Sequence, residues 1–187
     1  MTVIGSKADL KVVGTRPIRP DGVDKVTGRA AFGADFALPG MLVGKVKRSP
    51  HAHARIVSID VSKALKLAGV KAVVTAADFP DIPSQEAFVG EGPMNFRDLS
   101  HNCMARDKAL YEGHAVAAVA AASSAVADEA LDLIEVKYEV LPHVIEIEEA
   151  MAANAPVLHD DMITQGVDPK PAKASNVATR VAFTLGN

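Results

Sequence analysis

Two histidines in the first third of the chain have the residue type and spacing that could bind a metal ion. His51 and His53 are separated by a single residue, so on an extended segment both imidazoles would face the same side. A complete site also needs a third and a fourth ligand, and neither a Cys nor a carboxylate stands close by at a tight spacing. The alternative is a turn after Pro50 whose imidazoles bond to the backbone or contact another subunit. We favour the turn.

A histidine followed two residues later by a cysteine could supply a base and its nucleophile. His101 and Cys103 have this spacing, but in a loop they need not face each other, and no pattern of oxyanion donors follows them. A structural or incidental cysteine is the simpler interpretation. Cys103 is the only cysteine in the chain, which excludes an internal disulfide framework and is compatible with a reducing compartment. We predict a cytoplasmic location.

Two further groups of polar residues could act as acids and bases. Glu112, Gly113 and His114 could place an acid and a base on a turn, and His114 leads into an apolar run where burial would lower its pKa. A core or interface histidine with satisfied hydrogen bonds is the default interpretation. Asp160 and Asp161 could form a carboxylate pair, but adjacent carboxylates in a linker are usually solvated.

Composition and missing motifs exclude several kinds of function. The 20 Lys and Arg against 23 Asp and Glu give no basic excess for nucleic acid or an anionic membrane. No apolar run approaches the ~18 residues of a membrane span, and the first residues contain no apolar core of signal-peptide length. The glycine patterns GxGxxG and GxxxxGK[ST], which are typical of phosphate binding, do not occur. With the simpler interpretations of the histidine, cysteine and carboxylate groups given above, we predict no catalytic, cofactor-binding or metal-binding residue in the chain.

Hydrophobic patterns predict most of the secondary structure. The run 115–121 is entirely apolar and made of small residues, which is typical of a buried central strand. The segment 134–140 alternates without a fault, so Ile134, Val136, Tyr138 and Val140 should be buried. A short extended piece is predicted over 30–36, and the remaining predicted strands are 41–48, 54–60, 70–75 and 176–185.

Helix signals are strongest in two segments. The first, 62–68, has Ser62 or Asp60 available as N-cap and Gly69 placed after its end. The second covers 124–133, with Ser123 and Ser124 as N-cap candidates.

Two other segments are harder to interpret. Residues 147–152 form a shorter helix candidate. Residues 81–102 show neither the helical nor the strand period, and a long irregular segment of this kind often belongs to a partner surface or a lid.

Five separated motifs carry a resemblance to a known family. In chain order they are GRAAFGAD, PGML, RSPHAHARIVSID, YEGHAVAAV and IEVKYEVLPHV. Together they resemble the N-terminal α/β-hammerhead domain of the large, molybdopterin-binding subunit of the xanthine dehydrogenase and aldehyde oxidase family of molybdenum hydroxylases. The resemblance runs from about Gly14 to the end of the chain. At His114 the sequence departs from the family, where the matching position is frequently an acidic or amide residue.

The resemblance implies an α+β fold of the α/β-hammerhead type, with a mixed sheet, two main helices and a hammerhead extension. It also implies a division of the chain into four parts. These are an extended arm at 1–24, the hammerhead domain at 25–150, a linker at 151–175, and the first strand of a following domain at 176–187. A strand needs a neighbour, so we expect the polypeptide to be incomplete as a functional unit, either cut from a longer chain or paired with a separate subunit.

The resemblance also implies a function for the whole assembly. The family oxidises aldehydes or N-heterocycles with water as the oxygen source, and members differ in substrate. Its pterin-contacting loops and catalytic glutamate lie in later domains, and no position here matches them. We expect this chain to be the N-terminal part or a small subunit of such an enzyme, serving structure and subunit assembly, inactive alone and binding no cofactor alone.

The resemblance also implies partners for this chain, and two alternative functions stay open. The full complex should contain molybdopterin, [2Fe–2S] clusters and FAD, carried by the remainder of the large subunit and by iron–sulfur and FAD subunits or domains. One alternative is a stand-alone, non-enzymatic assembly module with the hammerhead fold. A third and weaker hypothesis is a small hydrolase that uses His51, His53 or Cys103.

Overall fold

The computed structural model describes residues 11–90 and 92–186, and the chain divides into two compact units, residues 1–41 and 42–187. In the first unit a short helix, α1, spans Gly22–Val26 and begins inside the predicted extended arm. Lys25 pairs with Asp21 at 2.6 Å, four residues earlier. Residues 1–10 of the predicted arm lie outside the described residues. The predicted division of the chain into arm, domain, linker and following strand stays a prediction.

The segment 30–36, in the same unit, is not extended as predicted. Residues Gly33–Asp35 form a 3-10 turn. The Asp35 carboxylate accepts a hydrogen bond from the backbone N–H of Phe32 at 2.9 Å, and the Asp35 N–H donates to the Phe32 carbonyl at 2.9 Å. These two bonds close a local turn, because an Asp side chain can satisfy a nearby backbone donor without a strand partner.

The second unit contains eight strands among the described residues, and every pairing between them is antiparallel. The strands are β1 (Val43–Arg48), β2 (Ala54–Asp60), β3 (Val70–Thr75), β4 (Glu86–Val89), β5 (Gly92–Asn95), β6 (Lys108–Ala109), β7 (Ala115–Ala121) and β8 (Glu135–Val140). They form two three-stranded sheets, β1-β7-β3 and β6-β2-β8, and the hairpin β4-β5. The expected mixed sheet is therefore wrong: β2 and β3 belong to different sheets, so no parallel crossover joins them.

The predicted central strand is confirmed. β7 lies between β1 and β3, and Val116 and Val119 are 0% and 2% exposed. Val119 lies opposite Lys45 in β1 and Val73 in β3. Because its neighbours in the strand are alanines, the helix above can approach the sheet closely.

The helices of the second unit are α2 (Ser62–Lys66), α3 (Phe96–Cys103), α4 (Ser124–Leu133) and α5 (Ile147–Ala150). α4 has the predicted bounds, since the Ser123 hydroxyl accepts the Val126 N–H at 3.3 Å and fixes its first turn. α2 ends earlier than predicted because Leu67 takes an extended conformation before Gly69, whose φ is +96°. No helix of the described residues is long and apolar enough to cross a membrane.

The main hydrophobic core lies between α4 and the β7 sheet and reaches α2 and the start of β8. Small side chains dominate it: Ala64, Ala117, Ala121, Ala127 and Ala130 are all fully buried. β8 follows the predicted alternation at its beginning, where Ile134 is 2% exposed, but Val140 at its end is 58% exposed. The predicted burial of Val140 is therefore wrong. Val140 is the last residue of β8, where it pairs with Ala54 at the end opposite to Ile134.

The prediction that residues 81–102 are irregular is wrong, because the hairpin β4-β5 and helix α3 occupy most of this segment. Gly90 follows β4 with a φ of +64°, a conformation that glycine adopts without strain. The side-chain oxygen of Asn95 accepts the N–H of Arg97 at 3.1 Å and caps α3. The hairpin is too short and too exposed to show a clear hydrophobic period.

The strand predicted over 176–185 is absent from the described residues of that segment. A single bridge pairs Gln165 with Thr179, and beyond it the backbone has no ladder. Val181, Phe183 and Leu185 are 67%, 87% and 96% exposed. The alternating pattern alone does not make a strand, because a strand needs a paired neighbour to satisfy its backbone groups.

Candidate functional site

An open cavity of about 600 Å³ lies in the second unit. One wall comes from the residues before β2 and from the turn at 110–112, and the other comes from the segment 142–176. The polar side chains on its lining include His53, Glu112, His143, His159 and Asn176. Clefts of this size with an apolar lining and a few polar groups are typical of places where a ligand or a partner side chain binds.

His53 is held in place rather than free for chemistry. Its ring is 5% exposed, and its Nδ1 lies 2.9 Å from the Pro142 carbonyl oxygen, which can only accept, so Nδ1 carries the proton. Nε2 is buried without a hydrogen-bond partner in the described part of the chain. His51 instead packs its ring edge against Tyr138, with centroids 5.0 Å apart. The structure thus gives the two rings different roles: the His53 ring bonds to the backbone, as expected for the turn, whereas the His51 ring packs on an aromatic side chain.

Asn176 fixes the outer wall of the cavity. Its side-chain N–H groups donate to the carbonyls of Ala150 and Pro156, at 3.0 and 2.9 Å, and its Oδ1 accepts the N–H of Leu158 at 2.9 Å. One side chain therefore ties together three points of the segment 150–176. The pattern of the sequence assigned Asn176 to a strand and missed this role.

Two ion pairs hold the same segment against the body of the unit. Lys108 Nζ lies 2.7 Å from the Asp160 carboxylate and also donates to the Leu158 carbonyl at 3.2 Å. Arg97 pairs with Asp161, and its guanidinium holds the pKa of this carboxyl below its usual value. Asp160 and Asp161 were expected to be solvated charges. They are largely exposed, but each has its own cation and they do not act as a carboxylate pair.

His114 is fully buried beside the cavity wall rather than in the cavity. Its Nδ1 accepts the backbone N–H of Leu110 at 3.1 Å, and its Nε2 donates to the His101 carbonyl at 2.9 Å. Tyr111 stacks on the ring with centroids 4.4 Å apart. Burial lowers the pKa of His114. The prediction of a core histidine with satisfied hydrogen bonds is confirmed.

Cys103 and His101 do not form a nucleophile and its base. Cys103 is exposed at the end of α3, and an oxygen of Asp81 lies 3.9 Å from Nε2 of His101. That distance is beyond a hydrogen bond, so Asp81 interacts with the His101 ring only at long range.

The donor atoms of this chain do not fit a [2Fe–2S] cluster, one of the groups that the family resemblance implies. A [2Fe–2S] cluster is held by four cysteine thiolates, or by two cysteines and two histidines, and the chain has one cysteine. Among residues 11–90 and 92–186, no group of three or more His, Cys, Asp or Glu side chains could hold a metal ion. No chemical step is therefore assigned to these residues, and the absence of catalytic and cofactor-binding residues stays a prediction.

Only some of the residues that line the cavity are distinctive in the sequence. His53 and Glu112 were singled out and do line the cavity, while His51, Cys103 and His114 do not. His143 and His159 were missed because each is an isolated residue in a segment without periodicity. Only the path of the chain from 142 to 176 brings them to the same wall.

Comparison with known proteins shows which family has this fold. The family model for the aldehyde oxidase and xanthine dehydrogenase a/b hammerhead domain matches residues 27–142. A probable xanthine dehydrogenase subunit from Bacillus subtilis (strain 168) is 41% identical over 144 residues, which is 77% of this chain and 18% of that protein. The nicotinate dehydrogenase large molybdopterin subunit of Eubacterium barkeri is 37% identical over 82% of this chain and 34% of its own length.

A solved structure agrees with the sequence relatives. The crystal structure of quinoline 2-oxidoreductase from Pseudomonas putida 86 superposes with a TM-score of 0.62 and 38% identity, covering 76% of this chain and 18% of that one. The chain thus spans about a sixth to a third of the length of the relatives it matches. The predicted family and the predicted hammerhead fold are confirmed. The chain belongs to the aldehyde oxidase and xanthine dehydrogenase family and represents its α/β hammerhead domain.

Proposed function

We propose that this chain is the hammerhead part of the large subunit of a molybdenum hydroxylase and that it contributes structure and assembly rather than chemistry. The observation that carries the proposal is the domain match over residues 27–142 together with the small fraction of each relative that the chain spans. In this proposal the remainder of the large subunit binds molybdopterin and oxidises the substrate, an aldehyde or an N-heterocycle. The assembly is a cytoplasmic heteromer whose other parts carry [2Fe–2S] clusters and FAD.

The surface of the second unit supports an assembly role. Large apolar side chains are exposed on the hairpin β4-β5 and on α3, where Phe88 is 77%, Phe96 41% and Leu99 45% exposed. Phe183 and Leu185 add exposed apolar surface near the end of the described residues. Contiguous exposed apolar surface is typical of places that another chain or domain covers. The remaining part of the large subunit is the partner that this proposal assigns to them.

The proposal is tested by producing the 187-residue chain alone. The purified chain should contain no stoichiometric molybdenum and should not oxidise aldehydes or N-heterocycles when an artificial electron acceptor is supplied. When it is produced together with the remaining part of a related large subunit, the two should purify as one complex, because the exposed apolar surface would then be covered. Molybdenum bound stoichiometrically by the chain alone, zinc bound at its histidines, or turnover by the chain alone would contradict the proposal.

The same experiment separates this function from the stand-alone assembly module. A module that works without the rest of the enzyme should stay separate from the co-produced part of the large subunit. A stable complex between the two would therefore exclude the stand-alone module.

A further inference from the structure

The bonds of His114 allow only one tautomer of its ring. The backbone N–H of Leu110 can only donate, so Nδ1 must accept with its lone pair, over 3.1 Å. The carbonyl of His101 can only accept, so Nε2 must carry the proton that it donates over 2.9 Å. The ring is therefore neutral, with both nitrogens in use and no surface exposed to water.

A second proton on this ring would find no hydrogen-bond acceptor. It would bind at Nδ1 and would face the N–H of Leu110, so two donors would oppose each other where one bond now exists. The cation would also be buried, and burial without an opposite charge is strongly unfavourable. Protonation of His114 therefore requires Leu110 to move away or the ring to leave its position.

Among the residues that the structure describes, the groups that contact His114 carry no compensating negative charge. Tyr111 stacks on the ring, and the backbone carbonyls of His101 and Asn102 from α3 face it. On the β1 side, Ser49 donates its N–H to the His114 carbonyl at 2.8 Å, and the Arg48 guanidinium donates to the Gly113 carbonyl at 2.8 Å. Glu112 is exposed in the adjoining turn. Among the described residues, the Asp81 carboxylate lies 3.9 Å from Nε2 of His101.

The residues that His114 holds are also residues that shape the cavity. Leu110 and Tyr111 line its inner wall, and both contact the His114 ring directly. We propose that His114 is a proton-sensitive contact, so that uptake of one proton releases Leu110 and Tyr111 and changes the wall of the cavity. β6, immediately before Leu110, is paired with β2 by a separate ladder and stays in place. The expected change is therefore local to residues 110–114 and the last turn of α3.

The direction of the pH dependence follows from burial. The pKa of His114 is lowered in the folded chain from 6.5. A chain in which the ring has left its two hydrogen bonds, the open state, therefore binds the proton more readily than a chain in which the ring keeps them, the closed state. The contact is thus fully stable above about pH 6.5 and weakens as the pH falls from there towards the lowered pKa. In this window each pH unit should favour the open state about tenfold more, because a single proton is taken up.

Amide hydrogen exchange followed by NMR tests this inference on the full 187-residue chain. After correction for the intrinsic exchange rate, the protection of the Leu110 amide should fall about tenfold per pH unit below about pH 6.5. The Val119 amide in β7 should keep its protection over the same range. The nitrogen shifts of the His114 ring should show the proton on Nε2 at neutral pH.

Two variants control the measurement. His114→Gln has an amide that can donate to the same carbonyl but cannot titrate, so it should abolish the pH dependence at Leu110. His143→Gln removes an exposed histidine and should behave as the wild type. The inference is overturned if Leu110 keeps its protection as the pH falls, if Val119 loses protection in parallel, or if His143→Gln abolishes the effect. If His114→Gln fails to fold, the exchange of the Leu110 amide and the nitrogen shifts of the His114 ring in the wild-type chain still test the inference.

Discussion

Replacing Val119 by aspartate should leave the second unit largely unfolded under conditions in which the wild-type chain is folded. Val119 is 2% exposed in the middle of the central strand and belongs to the main core. A carboxylate there would lose its hydration without gaining a partner, which is unfavourable by several kcal/mol. Small proteins have a free energy of unfolding of only ~5–15 kcal/mol, so one such change removes much of it. Urea denaturation followed by circular dichroism measures the loss.

The matched control for this prediction is Val57→Asp. Val57 lies in β2 and is 61% exposed, so its replacement introduces the same charge into a strand without burying it. Its effect on the free energy of unfolding should be about 1 kcal/mol or less. A wild-type denaturation midpoint for Val119→Asp would contradict the position of β7 in the core, and equal losses in the two variants would contradict the assigned difference in burial.

Replacing Asn176 by alanine should detach the outer wall of the cavity. The substitution removes three hydrogen bonds and leaves the carbonyls of Ala150 and Pro156 and the N–H of Leu158 without their partner. A hydrogen bond contributes about 1 kcal/mol on average, so the segment 150–176 should lose about 2–3 kcal/mol of local stability. Hydrogen exchange of the Leu158 amide reports the loss directly.

Asn176→Asp separates the acceptor from the donors of this side chain. An aspartate keeps an oxygen for the Leu158 N–H but turns negative charge towards the Ala150 and Pro156 carbonyls. It should therefore destabilise the segment to a similar extent as alanine or more. Protection of Leu158 that is unchanged in Asn176→Ala would show that the two ion pairs of Asp160 and Asp161 hold the segment without Asn176.

Local signals explain why some elements were predictable to the residue. The small apolar run that forms β7 is itself the strand, and the Ser123 cap directly precedes α4. The bounds of β7 and the start of α4 can therefore be found from the sequence alone. His114 was also predictable as a buried histidine, because it directly precedes that run. The two hydrogen bonds of its ring were not, since His101 and Leu110 are brought to it by the fold.

Tertiary contacts decide the elements that sequence patterns misplace. The segment 176–185 alternates like a strand, yet within the described residues Thr179 bridges Gln165 and no longer ladder forms. The hairpin β4-β5 shows no period but pairs over four positions in register. In both cases the deciding factor is the presence or absence of a neighbouring strand, which local propensity does not encode.

The cavity could not be predicted for the same reason. Its lining residues come from positions between 52 and 176, and most of them are unremarkable in their own segments. The carboxylates of Asp160 and Asp161 illustrate this, because their adjacency suggested a pair while their cations, Lys108 and Arg97, lie more than fifty residues earlier. Long-range ion pairs of this kind leave no pattern in the sequence.

The most direct test of the proposed role is the metal content of the protein as its own cells assemble it. A purification tag on this chain should recover an assembly that contains stoichiometric molybdenum and that oxidises an aldehyde or an N-heterocycle, whereas the same chain produced alone should contain none. The tagged Val119→Asp variant should recover no molybdenum, because an unfolded hammerhead domain cannot assemble. An assembly from its own cells without molybdenum, or molybdenum carried equally well by Val119→Asp, would contradict the role proposed here.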